Sequence, residues 1–186
     1  MKTLVFLLEE KSAEEMLKVV LTRLLPSGIS PVFITFEGKS DLESNLERRI
    51  RLWRTPDSQF VVMRDQDSAE CREVKKQLVR KCGTAGRSDA LVRIACHELE
   101  SFYLGDLAAV EQAYGIHLPS QRSKKYRAPD ALANAADELK RITNYEYQKI
   151  DGSRRIAEHL RLDGSNRSAS FNMLVSGIRR ILDNWN

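Results

Sequence analysis

The chain is poor in cysteine, with three in its 186 residues. Cys71, Cys82 and Cys96 form no C-x-x-C pair, and an odd number without that spacing argues against both a disulfide framework and a structural zinc site. Three reduced thiols in or near the core are expected instead. Long apolar runs are also missing. The longest is Leu4 to Leu8, far short of the roughly 20 residues that cross a bilayer. Glu9 and Glu10 cut the first apolar stretch before a secretory core can form, so the expectations are no membrane and a cytoplasmic location. Internal repeats and low-complexity tracts are absent. Neither sign of charge dominates, with 30 Lys and Arg against 26 Asp and Glu, and 42% of residues are hydrophobic. That is the composition of a soluble globular protein.

The charge is unevenly placed. Residues 1–118 carry 17 basic and 18 acidic side chains, a net of −1, whereas residues 119–186 carry 13 and 8, a net of +5. Acidic chemistry in the first part and anion contact in the second would produce this division, as would an ordinary solvated basic surface.

Apolar runs rich in Val, Ile and Phe recur at Thr3 to Leu8, Val32 to Phe36 and Phe60 to Met63, with helical stretches between them. Continuous apolar strands alternating with helices predict a parallel sheet covered on both faces. The first helix is expected to start at Ser12 as N-cap, with Met16, Leu17, Val20, Leu21 and Leu24 at helical spacing until Pro26. A second helix is expected over Ser40 to Trp53, a third over about Ala69 to Cys82, and a fourth strand over Ala90 to Ala95. Beyond Glu98 the pattern turns helical. Pro119 to Pro129 reads as a basic loop, followed by helices over Ala131 to Ile142, Ser153 to Leu160 and Ser168 to Leu182. The expected organisation is an α/β core over 1–118 and a helical extension over 119–186 packed on it, together one compact domain.

Ligands of open parallel sheets bind beyond the carboxyl ends of the strands, and in this chain those positions are acidic. The first strand runs into Glu9 and Glu10, the third into Asp65-Gln66-Asp67, and the fourth into Glu98 and Glu100. In an extended segment residues i and i+2 share a face, so Asp65 and Asp67 are expected to present two carboxylates to one volume. Crowded carboxylates repel, and a hard divalent cation with oxygen ligands relieves that repulsion. A lone D-x-D arises easily by chance, and Glu9 with Glu10 also suits a helix start. Acids at three of the four expected strand ends are what point to one shared site.

The segment Leu8-Glu9-Glu10-Lys11-Ser12-Ala13-Glu14-Glu15, followed by Val61-Val62-Met63-Arg64-Asp65-Gln66-Asp67, resembles the Toprim pattern. In that pattern a glutamate ends the first strand and a D-x-D ends the third. Residues Arg93 to Asp106, which contain His97-Glu98-Leu99-Glu100-Ser101-Phe102-Tyr103, and the tail Ser168-Ala169-Ser170-Phe171-Asn172 resemble the Toprim-like bacterial domain-of-unknown-function family 4276 over nearly the whole chain. The resemblance implies a Toprim-like, Rossmann-like, mostly parallel four-stranded sheet and Mg²⁺-dependent (or Mn²⁺-dependent) phosphodiester cleavage of the nuclease type. By position, Glu9 would be general base or metal ligand, Asp65 and Asp67 metal ligands, and Glu100 a further ligand, with Glu10 and Glu98 as other acidic candidates. The Toprim glutamate is usually followed by glycine, and Glu10 departs from that. The family also implies an alternative, a non-catalytic partner subunit of an AAA- or ABC-type ATPase in a phage-defence or DNA-processing system.

A nuclease must hold the phosphates that flank the scissile bond. The candidates are Lys124, Lys125, Arg127, Lys149, Arg154 and Arg155, whose bland reading is ordinary surface charge. Arg64 and Arg93 lie closer to the expected acidic site and serve either as phosphate contacts or as charge balance. His97 reads as a packed or capping histidine rather than a catalytic group. Trp53, Trp185, Phe102 and Tyr103 read as packing residues.

Overall fold

A computed structural model of the chain describes residues 2–118 and 123–185. Four strands, β1 (Lys2–Leu8), β2 (Ile29–Thr35), β3 (Ser58–Asp65) and β4 (Leu91–Ala95), form one parallel sheet in the order β2-β1-β3-β4. The crossovers are α1 (Lys11–Thr22), α2 (Lys39–Leu52) and α3 (Cys71–Thr84). The expected four-stranded α/β arrangement is therefore present. After β4 come α4 (Ser101–Leu104), α5 (Leu107–Tyr114), two single 3₁₀ turns at Lys124–Tyr126 and Pro129–Ala131, α6 (Ala135–Ile142), α7 (Lys149–Ala157) and α8 (Ala169–Asp183).

The two faces follow from the period-2 alternation of strand side chains. Leu4, Phe6 and Leu8 of β1 and Val61 and Met63 of β3 bury against α1 and the helices that follow β4, in one cluster reaching Phe171, Leu174 and Ile178 of α8. Val5, Leu7, Phe60 and Val62 point the other way, against Leu42, Leu46 and Ile50 of α2 and Val74 and Leu78 of α3. Both central strands are covered on both faces, which is why they read as unbroken apolar runs. β2 is an edge strand, only half-buried, with Phe33 stacked on Phe6 at 5.4 Å between ring centroids.

Several local expectations are corrected. Helix α1 starts one residue before Ser12, with Glu10 at the N-cap position and Ser12 buried inside the first turn, where its hydroxyl bonds Glu10. Helix α3 begins at Cys71, capped by the Glu70 side chain accepting from Glu73 N at 2.9 Å, and runs past Gly83 to Thr84. The helix expected from Ala131 begins at Ala135, and the one expected from Ser153 begins at Lys149. Residues 119–122 of the expected basic loop lie outside the described residues, and Lys124 to Ala131 holds the two 3₁₀ turns. Ser168 caps α8 by accepting from Phe171 N at 3.1 Å. Cys82 is buried, and Cys71 and Cys96 are half-buried free thiols.

Candidate functional site

The chain leaves β1 in one direction to form β2 and returns on the other side to form β3. The crevice at such a reversal, beyond the carboxyl ends of the strands, is where doubly wound sheets take their ligands. Glu9 follows β1 there and Asp65 ends β3, and they are bound together. Glu9 N donates to Met63 O at 3.2 Å, and Asp65 N donates to Glu9 Oε2 at 2.9 Å.

Asp65 is nearly buried and accepts from Leu99 N through Oδ2 at 3.2 Å. Burial pushes its pKa well above the usual carboxylate range, and the charges of Glu10, Glu100 and Glu9 push further in the same direction. Burial likewise raises Glu9, against the opposing pull of the Asp65 amide and Arg64. Glu100, fully buried, is raised by burial too, although Lys149 and the Tyr147 hydroxyl oppose the shift. Asp65 thus feels the charges of Glu9, Glu10 and Glu100, and Glu10 is felt in turn by Glu9 and Glu100.

Glu100 belongs to a buried polar network. Tyr147 Oη donates to Glu100 Oε1 at 2.9 Å, whereas Glu100 Oε2 has no hydrogen-bond partner among the described residues. Ser101 Oγ and Tyr103 Oη are also without a partner of hydrogen-bond geometry, although the Ser153 side chain lies beside Tyr103 and opposes the rise that burial imposes on its phenol pKa. Ser153 itself donates to Lys149 O at 2.6 Å. Buried polar atoms without partners are rare because each forfeits the hydrogen bond it had with water.

Cations border this crevice. Lys149 Nζ reaches Glu10 Oε2 at 2.7 Å, joining α7 to the end of β1. Arg64, buried at the end of β3, pairs with Glu43, lies 3.5 Å from Asp67 Oδ2 and approaches Glu9 Oε2 at 3.8 Å. Arg64 therefore balances acidic charge.

Asp67 departs from the expected geometry. It and His97 both adopt left-handed backbone, with φ of 57° at each, and Asp67 N donates to His97 O at 2.9 Å. Asp and His tolerate that conformation better than bulkier residues. The turn ends the extended segment at Asp65, so Asp65 and Asp67 do not share a strand face. Asp67 instead pairs with Lys39 at 3.0 Å on the crevice rim, near enough to Glu9 for its charge to be felt there.

The remaining candidates lie elsewhere. Glu98 accepts from Ala136 N at 2.7 Å at the start of α6. Arg93 sits between β4 and α8, donating to Met173 O at 2.8 Å and Val92 O at 2.9 Å. Lys125 pairs with Glu138 at 2.6 Å, Arg154 pairs with Glu15 at 2.6 Å, and Arg155 stacks on Tyr114. Lys124 is exposed on the first 3₁₀ turn, and Arg127 follows that turn. Nothing in the sequence announced Tyr147, Ser153 or the Lys149 to Glu10 bridge, because these meet their partners only through the tertiary fold.

Among the described residues, no three His, Cys, Asp or Glu side chains are placed, as they stand, to hold a metal ion. No helix of the described residues is long and apolar enough to cross a membrane. A family model matches residues 8–179, and its description is "Domain of unknown function (DUF4276)". No curated protein and no solved structure matches the chain.

Proposed function

The chain therefore belongs to the DUF4276 family, whose description assigns no activity, and we propose that this member is a Mg²⁺- or Mn²⁺-dependent, phosphodiester-cleaving protein of the nuclease type. The observation that carries the reading is the meeting of Glu9, Asp65 and Glu100 at the sheet's reversal point, each with its pKa raised by burial and with one oxygen of Glu100 unpartnered. An all-carboxylate donor set with an orphaned oxygen suits a hard divalent cation, which would relieve the mutual repulsion. Glu9, Asp65 and Glu100 would hold it after their side chains turn toward one another, since as they stand no three acids among the described residues are placed for an ion. Asp67 would join on release from Lys39, an exposed ion pair of the kind worth about 0–1 kcal/mol. When bound, such a cation polarises a phosphate and lowers the pKa of a coordinated water.

The protein's own residues supply the rest. Glu9, whose pKa burial raises above the ordinary carboxylate value, is suited to accept a proton from water as a general base. Arg64 and the Asp65 amide keep its carboxylate oriented through Oε2. Burial disfavours the ammonium form of Lys149, but the Glu10 hydrogen bond together with the charges of Glu10, Glu100 and Asp65 outweighs it. Lys149 is therefore a cation at the crevice, held by Glu10, that would reach a substrate phosphate only on leaving that pair. The reading takes Glu9 and Asp65 as the glutamate and the first D-x-D carboxylate of a Toprim-type site, with Asp67 on the rim. A cytoplasmic location fits such a substrate.

Cleavage of plasmid DNA and of RNA with Mg²⁺ or Mn²⁺, together with calorimetric Mn²⁺ titration, tests the reading. Asp65→Asn and Glu9→Gln are expected to lower cleavage by roughly 100-fold or more, in the range of removing a general base. A wild-type protein that neither binds Mn²⁺ nor cleaves would overturn it. One observation favours a rival, the non-catalytic partner subunit of an AAA- or ABC-type ATPase: Glu10 and Asp67 are already held in ion pairs, so no ready cage exists among the described residues. That reading expects the inert result.

A further inference from the structure

A phosphodiester substrate needs a surface that binds its backbone, and the side chains expected for this in the C-terminal third are largely spoken for. Lys125, Lys149 and Arg154 are each paired with a carboxylate, two of them with acids that are themselves buried. The layer formed by α2 and α3 is different. Its inner face is fixed by Leu42, Leu46 and Ile50 on one helix and Val74, Leu78 and Cys82 on the other, all buried against the sheet. The same helical spacing sends Arg48 and Arg51 of α2 and Arg72, Lys76 and Arg80 of α3 outward, where all five are exposed. Between the two helices Lys81 reaches Glu47 at 3.7 Å, and Arg51 donates to Thr84 O at 3.2 Å, so the two rows are direct neighbours.

Acids neutralise this face only in part. Asp41 accepts from Glu37 N and Asn45, and Glu43 is taken by Arg64. Glu47 is shared between Arg51 and Lys81, and Glu73 lies 4.0 Å from Lys76. Among the described residues, Arg48, Arg72 and Arg80 have no ion-pair partner. A hollow of about 540 Å³ lined by Ser44, Glu47, Arg48, Arg51 and Leu52 opens on the same face. Each helix has 14 residues, about 21 Å at 1.5 Å per residue, with neighbouring axes about 10 Å apart. The amino ends of both helices lie at the carboxyl ends of the strands, so Arg72, in the first turn of α3, stands nearest the acidic crevice. Lys76 and Arg80, with Arg48 and Arg51 in the last turns of α2, carry the basic face away from it.

We infer that the outer face of α2 and α3 is the surface on which a nucleic acid lies, its phosphates contacted by Arg48, Arg51, Arg72, Lys76 and Arg80. Arginine forks suit phosphate oxygens, and the exposed apolar content of the face is small, Leu52 and Val79 being its exposed large hydrophobics. Regularly spaced phosphates match two basic rows better than an apolar-anchored protein partner does. The inference deepens the proposed nuclease reading and rests on it for the choice of nucleic acid.

The test is fluorescence anisotropy of labelled 20-nucleotide single-stranded DNA, duplex DNA and RNA, without divalent cation, over a salt series. The variants are R48E/R80E, the milder R48Q/R80Q, and K124E/K140E on the opposite, C-terminal side, each checked for a native melting transition. Wild type is expected to bind with a steep salt dependence. R48E/R80E is expected to bind at least tenfold more weakly, with a salt slope smaller by about 2, one per lost phosphate contact. R48Q/R80Q should fall between, and K124E/K140E should change affinity less than about twofold, its residues lying outside the contacted face. Equal losses in both charge reversals, or no binding by wild type, overturn the inference. So does binding to phosphatidylserine vesicles but not to nucleic acid. Wild-type binding that is lost in R48E/R80E, with no cleavage in Mg²⁺, would uphold the surface while refuting the catalytic reading.

Discussion

At the scale of single residues, the carboxylates divide into two kinds with opposite pH behaviour. Asp65 is raised by burial, so the folded chain keeps a proton that the unfolded chain has already released. The number of protons bound is then larger in the folded state above the ordinary carboxylate pKa, and stability falls as pH rises through that window. Asp65→Asn removes this penalty while its amide oxygen can still accept from Leu99 N. Its melting midpoint at pH 8 is expected to exceed the parent's by roughly 2 °C or more, a clear difference for a chain of this size, and the two should converge near pH 4. Calorimetric melts across pH 4–8 check this, and a variant less stable than the parent at pH 8 contradicts it. Glu138 behaves in the reverse sense. Burial alone would raise it, but Arg141, Lys125 and Tyr126 hold its carboxylate down to about 2. Its contribution is present above the ordinary carboxylate range and disappears as pH falls toward 2. Glu138→Gln should cost roughly 1–3 kcal/mol at pH 7, the value of hydrogen bonds to a charged group, with the gap to the parent closing in urea titrations at pH 2–3.

At the scale of elements, what was legible in the sequence tracks what is local. Strands β1 and β3 announce themselves because burial on both faces makes them continuous apolar runs, and α2 shows its register through Leu42, Leu46 and Ile50. Helix starts were misplaced where the cap is unusual, as at Glu10 before α1, or where a 3₁₀ turn intervenes, as before α6. Acids at the strand ends could be read one by one, yet the turn at Asp67 could not, since nothing in D-x-D spacing reveals a left-handed residue. The packing of Arg93 to Asp106 against the tail at Ser168 had no periodic signal at all. It depends on Asn166 Nδ2 donating to Phe102 O at 2.9 Å, on Arg167 N donating to Gly105 O at 2.9 Å, and on Arg161 forking onto the buried Asp106. Gly105 lies at the closest approach, where an added Cβ would sit 2.0 Å from Asn166 Oδ1 and 2.6 Å from Ser168 N. Gly105→Ala should therefore cost roughly 1–3 kcal/mol, as overpacking does. Gly83, inside α3 with nothing within 4 Å of its added Cβ, provides the contrast: Gly83→Ala should gain roughly 0.5–1 kcal/mol in helix propensity. Paired urea denaturation of the two variants measures both signs, and equal effects would refute the packing argument.

At the scale of the whole molecule, the acidic crevice and the fold's stability are linked through protons and cations. Asp65, Glu9 and Glu100 all hold protons more tightly in the folded chain than out of it. A divalent cation that takes their place must displace those protons, so its binding strengthens as pH rises. Binding to the folded state alone stabilises it by an amount that grows with the logarithm of one plus the ratio of free ion to Kd, about 2.7 kcal/mol at a hundredfold excess over Kd. Mn²⁺ should accordingly raise the melting midpoint more at pH 8 than at pH 5. Calorimetric titration in buffers of different ionisation enthalpy should show protons released on binding. Asp65→Asn, already relieved of its charge, should be more stable than the parent without cation and less stabilised when cation is added. Crossing of those two melting curves as Mn²⁺ increases is expected only if one crowded set of carboxylates limits stability and also receives the ion. A rise in midpoint that is the same at both pH values, or unchanged in the variant, would place the cation elsewhere on the molecule and leave the buried acids as a cost of the fold alone.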